Sequence, residues 1–342
     1  MTRVTLRDVA LHAGVSHQTV SNVLNDHPSI RPQTRERVLR AIEALDYHPN
    51  SAAKALRESR VTTICCGFYD HSPETIADPY RNLVQSAFLA EATAQGYDMT
   101  TAFLNSDVPR GFSTLRTSFL QQRFAGVVLV GTSVTPECLD LLGQWNMPTV
   151  LFDHAEPSAL FPVVTADYRS GMEHLVTRLA FRGHQRLALV IPPGDQGGSA
   201  AARREGFHAA ALRHGLQTTT EPGDWSSASG ETAFTRIWRR TPRPDAVLCA
   251  NDRMAAGALY AARMIGVGVP ADVRITGFDD FEFARYTAPS LTTLHVPLAE
   301  MARAAVRLLL TEIETARAGQ PTREPVFLKM PVTLVERESA AC

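Results

Sequence analysis

The sequence predicts an α/β protein in two parts, a small helical head followed by a large layered body. Residues 4–45 carry three short amphipathic helical patterns. From residue 61 onward, short apolar runs alternate with helical patterns, as parallel strands joined by helices do. A chain of 342 residues, 44% of them hydrophobic, can bury a sizeable core and still carry a small separate module.

The head opens with Val4–Asn25, read as two short helices and a tight turn. Leu6, Val9 and Ala10 set apolar groups at helical spacing, and Ala13-Gly14-Val15-Ser16 breaks the pattern. Gly14 suits the turn's unusual backbone angles, and Ser16 can cap the next helix with its hydroxyl. That helix, His17–Leu24, is expected to bury Val20, Val23 and Leu24 and to point His17, Gln18, Ser21 and Asn22 outward. Exposed donors and acceptors at a helix N-terminus suit reading of a DNA major groove. The plain alternative is a helical hairpin with a polar surface. Pro32–Leu45 reads as a third helix, with Val38, Ile42 and Leu45 on its apolar face and arginines on its flank. Asp46-Tyr47-His48-Pro49-Asn50 then leads into Ser51–Arg57.

Charge is unevenly placed. Residues 1–60 hold nine basic and six acidic side chains, and the remainder twenty-five against twenty-nine. A basic head on a mildly acidic body fits a nucleic-acid contact confined to the head. No apolar run is long enough to cross a membrane, and no basic-then-apolar leader precedes the head, so a cytoplasmic location is expected. The five cysteines, Cys65, Cys66, Cys138, Cys249 and Cys342, show neither CxxC nor Cys/His ligand spacing. Neither a disulfide framework nor a metal site is expected, and Cys65, Cys66 and Cys249 fall in apolar strand-like runs.

In the body, strands are expected at Thr62–Phe68, Met99–Phe103, Gly126–Gly131, Thr149–Asp153, Arg186–Ile191, Ala246–Ala250 and Arg274–Gly277. Helices between them include Pro79–Gln95, Tyr168–Phe181, Ala200–Arg213 and Arg253–Ile265. They group into two blocks, roughly 61–163 and 164–290, each the size of a small doubly wound domain. Ligands of such folds bind at the carboxyl ends of strands, so a cleft between the blocks is the expected site.

The head and the linker after it resemble the headpiece and hinge of the lactose-repressor (LacI/GalR) family of bacterial transcription regulators. The resemblance runs ungapped through about the first sixty residues, and further motifs continue it almost to the C-terminus. It implies a helix-turn-helix headpiece over 1–46, a hinge helix and linker over 47–60, and a two-subdomain, periplasmic-binding-protein-like sensor over 61–342. The N-subdomain would take about 61–163 and 296–324, and the C-subdomain about 164–292 and 326–342. Crossovers would fall near Thr165, near Thr292–Pro297 and near Pro325.

Matched position by position, His17, Gln18 and Asn22 would meet base edges. Gln18 and Asn22 can each pair bidentately with adenine. Asn22 stands where the family often has arginine, which weakens any guanine preference there. Ser16, Thr19, Ser21, Asn25 and Thr34 suit phosphates and would fix register, with Leu6 beside them. Tyr47 would pack the headpiece against the hinge. Within the hinge, Asn50, Ala53, Leu56 and Arg57 would contact DNA, the small alanines letting two hinges pack closely. Leu56 would act as a minor-groove wedge that trades stacking energy for a kink.

For the ligand, the resemblance points to Asp153 at the end of PTVLFD, and to Arg203, three residues before Gly206 in Ser199–Phe207, with Arg204 as the competing neighbour. It points also to Asn251 in Ala250-Asn251-Asp252, to Asp279 in Gly277-Phe278-Asp279-Asp280, and to Trp225 in a segment close to the lactose repressor's own. Tyr80 offers a second ring. An arginine with carboxylates, an amide and an indole face suits a sugar. The loop Tyr69–Asp78 is longer than the family's usual one, and Thr293–Leu298 differs from the lactose repressor's crossover, so a galactoside is not secured.

The expected function is therefore a homodimeric, ligand-responsive DNA-binding regulator, most readily a repressor of carbohydrate genes. It needs a small-molecule effector, expected to be a sugar, and no cofactor. Two alternatives stay open, an exported-type sugar receptor without a DNA role and a regulator sensing a non-sugar metabolite such as a purine. An enzyme is disfavoured, since the chain lacks GxxxxGK[ST], GxSxG and HExxH and shows no nucleophile–base pair.

Overall fold

The computed structural model describes residues 4–24, 27–47, 61–69, 78–104, 108–131, 134–194, 198–320 and 324–341. The chain divides into two compact units, Met1–Val61 and Thr62–Cys342.

The first unit contains helices α1 (Leu6–Ala13), α2 (His17–Leu24) and α3 (Pro32–Ala44). Thr5 and Asp8 form a capping box at the start of α1, and Gly14 ends it with φ 60°. A left-handed angle there would strain a residue with a Cβ, which explains the glycine. Val9, Ala10, Ala13, Val20, Val23, Val38, Ala41 and Tyr47 form the small core, with Leu6, Leu24, Ile42 and Leu45 packed at its edge.

In the second unit, a six-stranded sheet takes β1 (Thr63–Tyr69), β2 (Asp98–Leu104), β3 (Val127–Val130), β4 (Thr149–Phe152), β5 (Val163–Ala166) and β11 (Phe327–Met330), in the order β11-β5-β4-β3-β1-β2. A four-stranded sheet takes β6 (Arg186–Ile191), β7 (Gln217–Pro222), β8 (Ala246–Cys249) and β9 (Arg274–Thr276), in the order β7-β6-β8-β9. Every pairing within these two sheets is parallel. The strands β10 (Thr293–His295) and β12 (Thr333–Val335) form a separate antiparallel pair. The helices are α4 (Pro79–Ala94), α5 (Val108–Leu120), α6 (Pro136–Gln144), α7 (Tyr168–Phe181), α8 (Ser199–Arg213), α9 (Ser227–Trp238), α10 (Asp252–Met264) and α11 (Leu298–Arg317).

The inner strands of both sheets are buried on both faces and read as continuous apolar runs for that reason. On β1, Ile64, Cys66 and Phe68 enter one apolar core while Cys65 and Tyr69 enter the other. Cys65, Cys66, Cys138 and Cys249 are buried free thiols. Burial pushes the Cys65 thiol up to about 12, so it packs as an inert apolar group.

The expected strands and helices all form, with ends shifted by a residue or two. Two crossover positions differ from expectation. β5 still belongs to the first sheet, so the chain crosses at Asp167, just past Thr165. The segment from 326 was expected in the second subdomain, yet β11 pairs with β5. The last crossover therefore falls after Met330 and not near Pro325. Among the described residues, no helix is long and apolar enough to cross a membrane.

Candidate DNA-reading helix and effector site

On α2, Ser16 Oγ accepts from the backbone N–H of Thr19 at 3.1 Å and lies 2.8 Å from the Thr19 hydroxyl. The cap expected of Ser16 is therefore formed, and it holds the helix N-terminus. His17 and Gln18 are exposed and Asn22 partly so. Gln18 Nε2 donates to Asn22 Oδ1 at 3.1 Å, one helical turn away. The two amides thus form one pre-oriented pair, with donors and acceptors left over for base edges. Ser21 was expected to point outward with them. It is 7% exposed instead, because it shares the helix face that carries Val20 and Val23 into the core. Leu6 and Thr34 are partly exposed, and Tyr47 is buried in the head's own core. Asn25, Asn50, Ala53, Leu56 and Arg57 lie outside the described residues.

In the second unit, the expected effector residues converge where strands end. Asp153 follows β4, Asn251 follows β8 and Asp279 follows β9, while Arg203 rises from the first turn and a half of α8. Gly206 lets α8 approach α7 closely. A Cβ there would stand 2.4 Å from the carbonyl oxygen of Arg169, so no larger residue fits without moving a helix. That approach sets the depth of Arg203. Asp153, Trp225, Asp279 and Asp280 all have left-handed backbones, with φ of 63°, 69°, 105° and 60°. Each such non-glycine angle costs about 1–3 kcal/mol, and such strain gathers at functional sites.

Arg203 Nη2 donates to Asp279 Oδ1 at 3.1 Å, with the two side chains 5% and 9% exposed. The guanidinium lies over Phe278 at 4.1 Å, Tyr168 at 4.6 Å and Trp225 at 5.4 Å from the ring centroids. Its faces are thus covered by aromatic rings and its edge is left to bond. Arg203 Nε is buried and has no hydrogen-bond partner, a costly state for a charged donor. Arg204 instead reaches the carbonyl of Pro192 at 2.5 Å, so Arg203 and not Arg204 meets Asp279.

Asp153 is gripped from two sides. The Tyr80 hydroxyl donates to Oδ2 at 2.7 Å and the Tyr168 hydroxyl to Oδ1 at 2.5 Å. Burial first, then the Asp153 charge, holds both phenols well above their ordinary pKa, so they stay protonated donors. Burial likewise raises the Asp279 carboxyl well above the usual range, against the lowering pull of Arg203. Asn251 caps α10, accepting from Met254 N at 2.8 Å, and Nδ2 donates to the Trp225 carbonyl at 3.0 Å. It positions the Trp225 loop and keeps a second amide hydrogen.

Sequence reasoning missed Tyr168 and Phe278, which flank Arg203, and Asp252. Asp252 is fully buried beneath Asp279. It accepts from the Thr293 hydroxyl at 2.5 Å and from Phe281 N at 2.8 Å, tying α10 to the crossover strand β10. Burial, augmented by the nearby Asp280 charge, lifts its carboxyl to about 7, against the bonds from Thr293 and Phe281 and the charge of Arg337. Asp280 in turn accepts from Arg337 at 2.6 Å and lies 3.2 Å from His295 Nδ1. The loop that ends β9 therefore carries one acid facing Arg203 and the next facing two crossover segments.

A three-helix head with an exposed amide pair on its second helix, followed in the chain by a doubly wound body with a buried polar and aromatic cluster at its strand ends, defines a DNA-binding regulator with a built-in effector sensor. Residues 5–50 match the bacterial regulatory proteins of the lacI family, and residues 176–340 match the periplasmic binding protein-like domain. The chain belongs to the LacI family of transcriptional regulators. It is 32% identical over 343 residues to the transcriptional repressor PurR of Erwinia tasmaniensis, covering 98% of this chain and 97% of that one. It is also 32% identical over 343 residues to the transcriptional regulator CelR of Thermobifida fusca, with 98% of each chain covered. In structure it resembles a Lac repressor dimer bound to operator and the anti-inducer ONPF, with a TM-score of 0.87, 28% identity and 100% of both chains covered. It resembles a CelR–cellobiose complex with a TM-score of 0.72, 29% identity and coverage of 99% and 100%.

Proposed function

We propose that this regulator binds a pseudo-palindromic operator as a homodimer and responds to a small sugar held by Arg203, Asp279, Asp153, Asn251 and the Trp225 and Tyr80 rings, without a cofactor. The observation that carries this reading is the unpartnered, buried Nε–H of Arg203 beside the Asp279 carboxylate and the Trp225 ring. One hydroxyl can accept from that N–H and donate to a carboxylate, while its ring's apolar face stacks on an indole. The CelR–cellobiose and Lac repressor similarities support a sugar. The protein acts in the cytoplasm and performs no catalysis. Sugar binding shifts the population between two closures of the cleft, and Leu56 of the hinge wedges into the operator in one of them.

A purine is the second reading. The PurR similarity favours it, as does a guanidinium framed by flat rings. A gel shift on the gene's own upstream DNA, with and without a panel of sugars and purine bases, tests both. A sugar that changes the shift supports the first reading. A purine that alone does so overturns it.

A further inference from the structure

We infer that the effector is uncharged: the site admits a neutral hydroxyl compound and rejects its phosphate ester and other anions, because carboxylates surround one arginine whose charge is already matched. The inference rests on the effector-site reading above and narrows its ligand class.

Arg203 is the cation acting on Asp279, and the charges opposing it there are Asp252, Asp153 and Asp78. Asp279 already takes one N–H of the guanidinium edge. Phe278, Tyr168 and Trp225 cover its faces. The Nε–H is deeply buried and without a partner. Phosphate recognition uses the whole arginine fork, usually with a second cation or several backbone N–H groups. Here one N–H of the fork is already committed to Asp279. Arg204, the neighbouring cation, turns away to Pro192. Segments 70–77 and 195–197, which adjoin site residues in the sequence, contain no Lys or Arg.

A single hydroxyl matches the buried Nε–H and the carboxylates near it. Its oxygen accepts from Nε–H, and its hydrogen goes to a carboxylate oxygen of Asp279 or Asp153. An ionised phosphate oxygen has no hydrogen to give those carboxylates and meets like charge where water is excluded. That repulsion costs affinity many-fold and acts as selection against the wrong ligand.

The test titrates the full-length protein by tryptophan fluorescence and calorimetry with neutral and phosphorylated pairs. The probes are glucose, fructose, trehalose, cellobiose and lactose, the phosphate esters of the first three, hypoxanthine with its nucleotide, and inorganic phosphate. The expected result is a saturable response to a neutral member, with its ester weaker by at least about tenfold and inorganic phosphate silent. An ester binding as tightly as its parent overturns the inference. So does an inorganic phosphate response that Arg203→Ala abolishes. Hypoxanthine responding while its nucleotide and every sugar fail would end the sugar reading yet uphold the charge rule, so the two failures are distinguishable.

Discussion

Arg203 and Asp279 form a buried ion pair at 3.1 Å, and Asp279 holds it from a left-handed backbone at φ 105°. The pair joins α8 to the loop after β9, two elements distant in sequence. Desolvation offsets much of such a pair's attraction, so its net contribution to stability is small while the cost of breaking it is large. The strained backbone and the unpartnered buried Nε are features that gather at ligand sites.

Removing one partner leaves a buried group without its complement. Arg203→Ala is expected to destabilise the sensor by about 3–5 kcal/mol, less whatever Asp279 recovers by taking up a proton. The double variant Arg203→Met with Asp279→Leu should recover much of that loss. Both should still shift operator DNA and ignore the effector. Urea denaturation with a gel shift checks this, and an additive double variant would show that the pair is not coupled.

Asp252 gives a pH signature. Its folded-state carboxyl titrates at about 7, whereas an unfolded aspartate titrates near about 3.9. The native state therefore binds the proton more tightly. The contribution to stability is fully present below the unfolded value and falls as pH rises towards about 7, where it levels. Asp252→Asn removes this titration and keeps an acceptor for Thr293 or Phe281. Melting temperatures of wild type and variant should diverge between those two pH values, the wild type losing ground as pH rises. Parallel curves would reject the assignment.

How much of this was legible follows from what each element must do. The strands β1, β3, β4, β6 and β8 are buried on both faces, and their apolar runs announce them. The edge strand β7 reads Gln-Thr-Thr-Thr-Glu-Pro, is mostly exposed and carries no such signal. β5 has four residues and β10 and β12 three each, too few for any period. In the site, Arg203, Asp153, Asn251 and Asp279 came from the family resemblance, and the structure places them at strand ends and on α8. Tyr168 and Phe278 read as ordinary core aromatics, since their role depends on which guanidinium lies across them. Ser21 was misplaced because its polarity outweighed its position beside Val20. Asp252 was passed over as the last residue of the Ala250-Asn251-Asp252 motif, although an acid in the first turn of a helix after an apolar strand was the available signal.

Asp153 lies in the first subdomain with Tyr80, while Tyr168 is the first residue of α7 beyond a crossover. The Tyr168 hydroxyl bond therefore spans the two subdomains and the Tyr80 bond does not. Tyr168→Phe is expected to cost about 1–3 kcal/mol and to widen the effector-free cleft. Tyr80→Phe should change effector affinity with little effect on closure. Small-angle scattering and thermal melts separate them, and equal behaviour of the two variants would contradict this division.

On α2, the Gln18–Asn22 bond means that neither amide acts alone. Gln18→Ala and Asn22→Ala should each weaken specific operator binding by about 1–3 kcal/mol and leave non-specific binding nearly unchanged. Their effects should be less than additive, because each truncation also frees the other side chain to rotate. A double-mutant cycle by fluorescence anisotropy, at fixed salt, measures the coupling. Strict additivity would mean that the two amides read DNA independently.

Trp225 should report occupancy. The other two tryptophans sit elsewhere, Trp145 beside Phe112 and Arg116, and Trp238 stacked on Phe234 at 5.7 Å with Arg243 over it. Only Trp225 lies over Arg203, on a strained backbone whose carbonyl Asn251 holds. An effector that bonds Arg203 Nε must alter the field and the contacts at that indole. The wild-type emission is therefore expected to change saturably with effector. Trp225→Phe should keep most of the ring contact and lose the signal, while Trp225→Ala should weaken binding by about 1 kcal/mol or more. Asn251→Ala should release the Trp225 carbonyl, uncap α10 and lower affinity without touching the ring itself. If Trp225→Phe keeps the full emission change, the signal comes from Trp145 or Trp238 and the ligand lies away from Arg203.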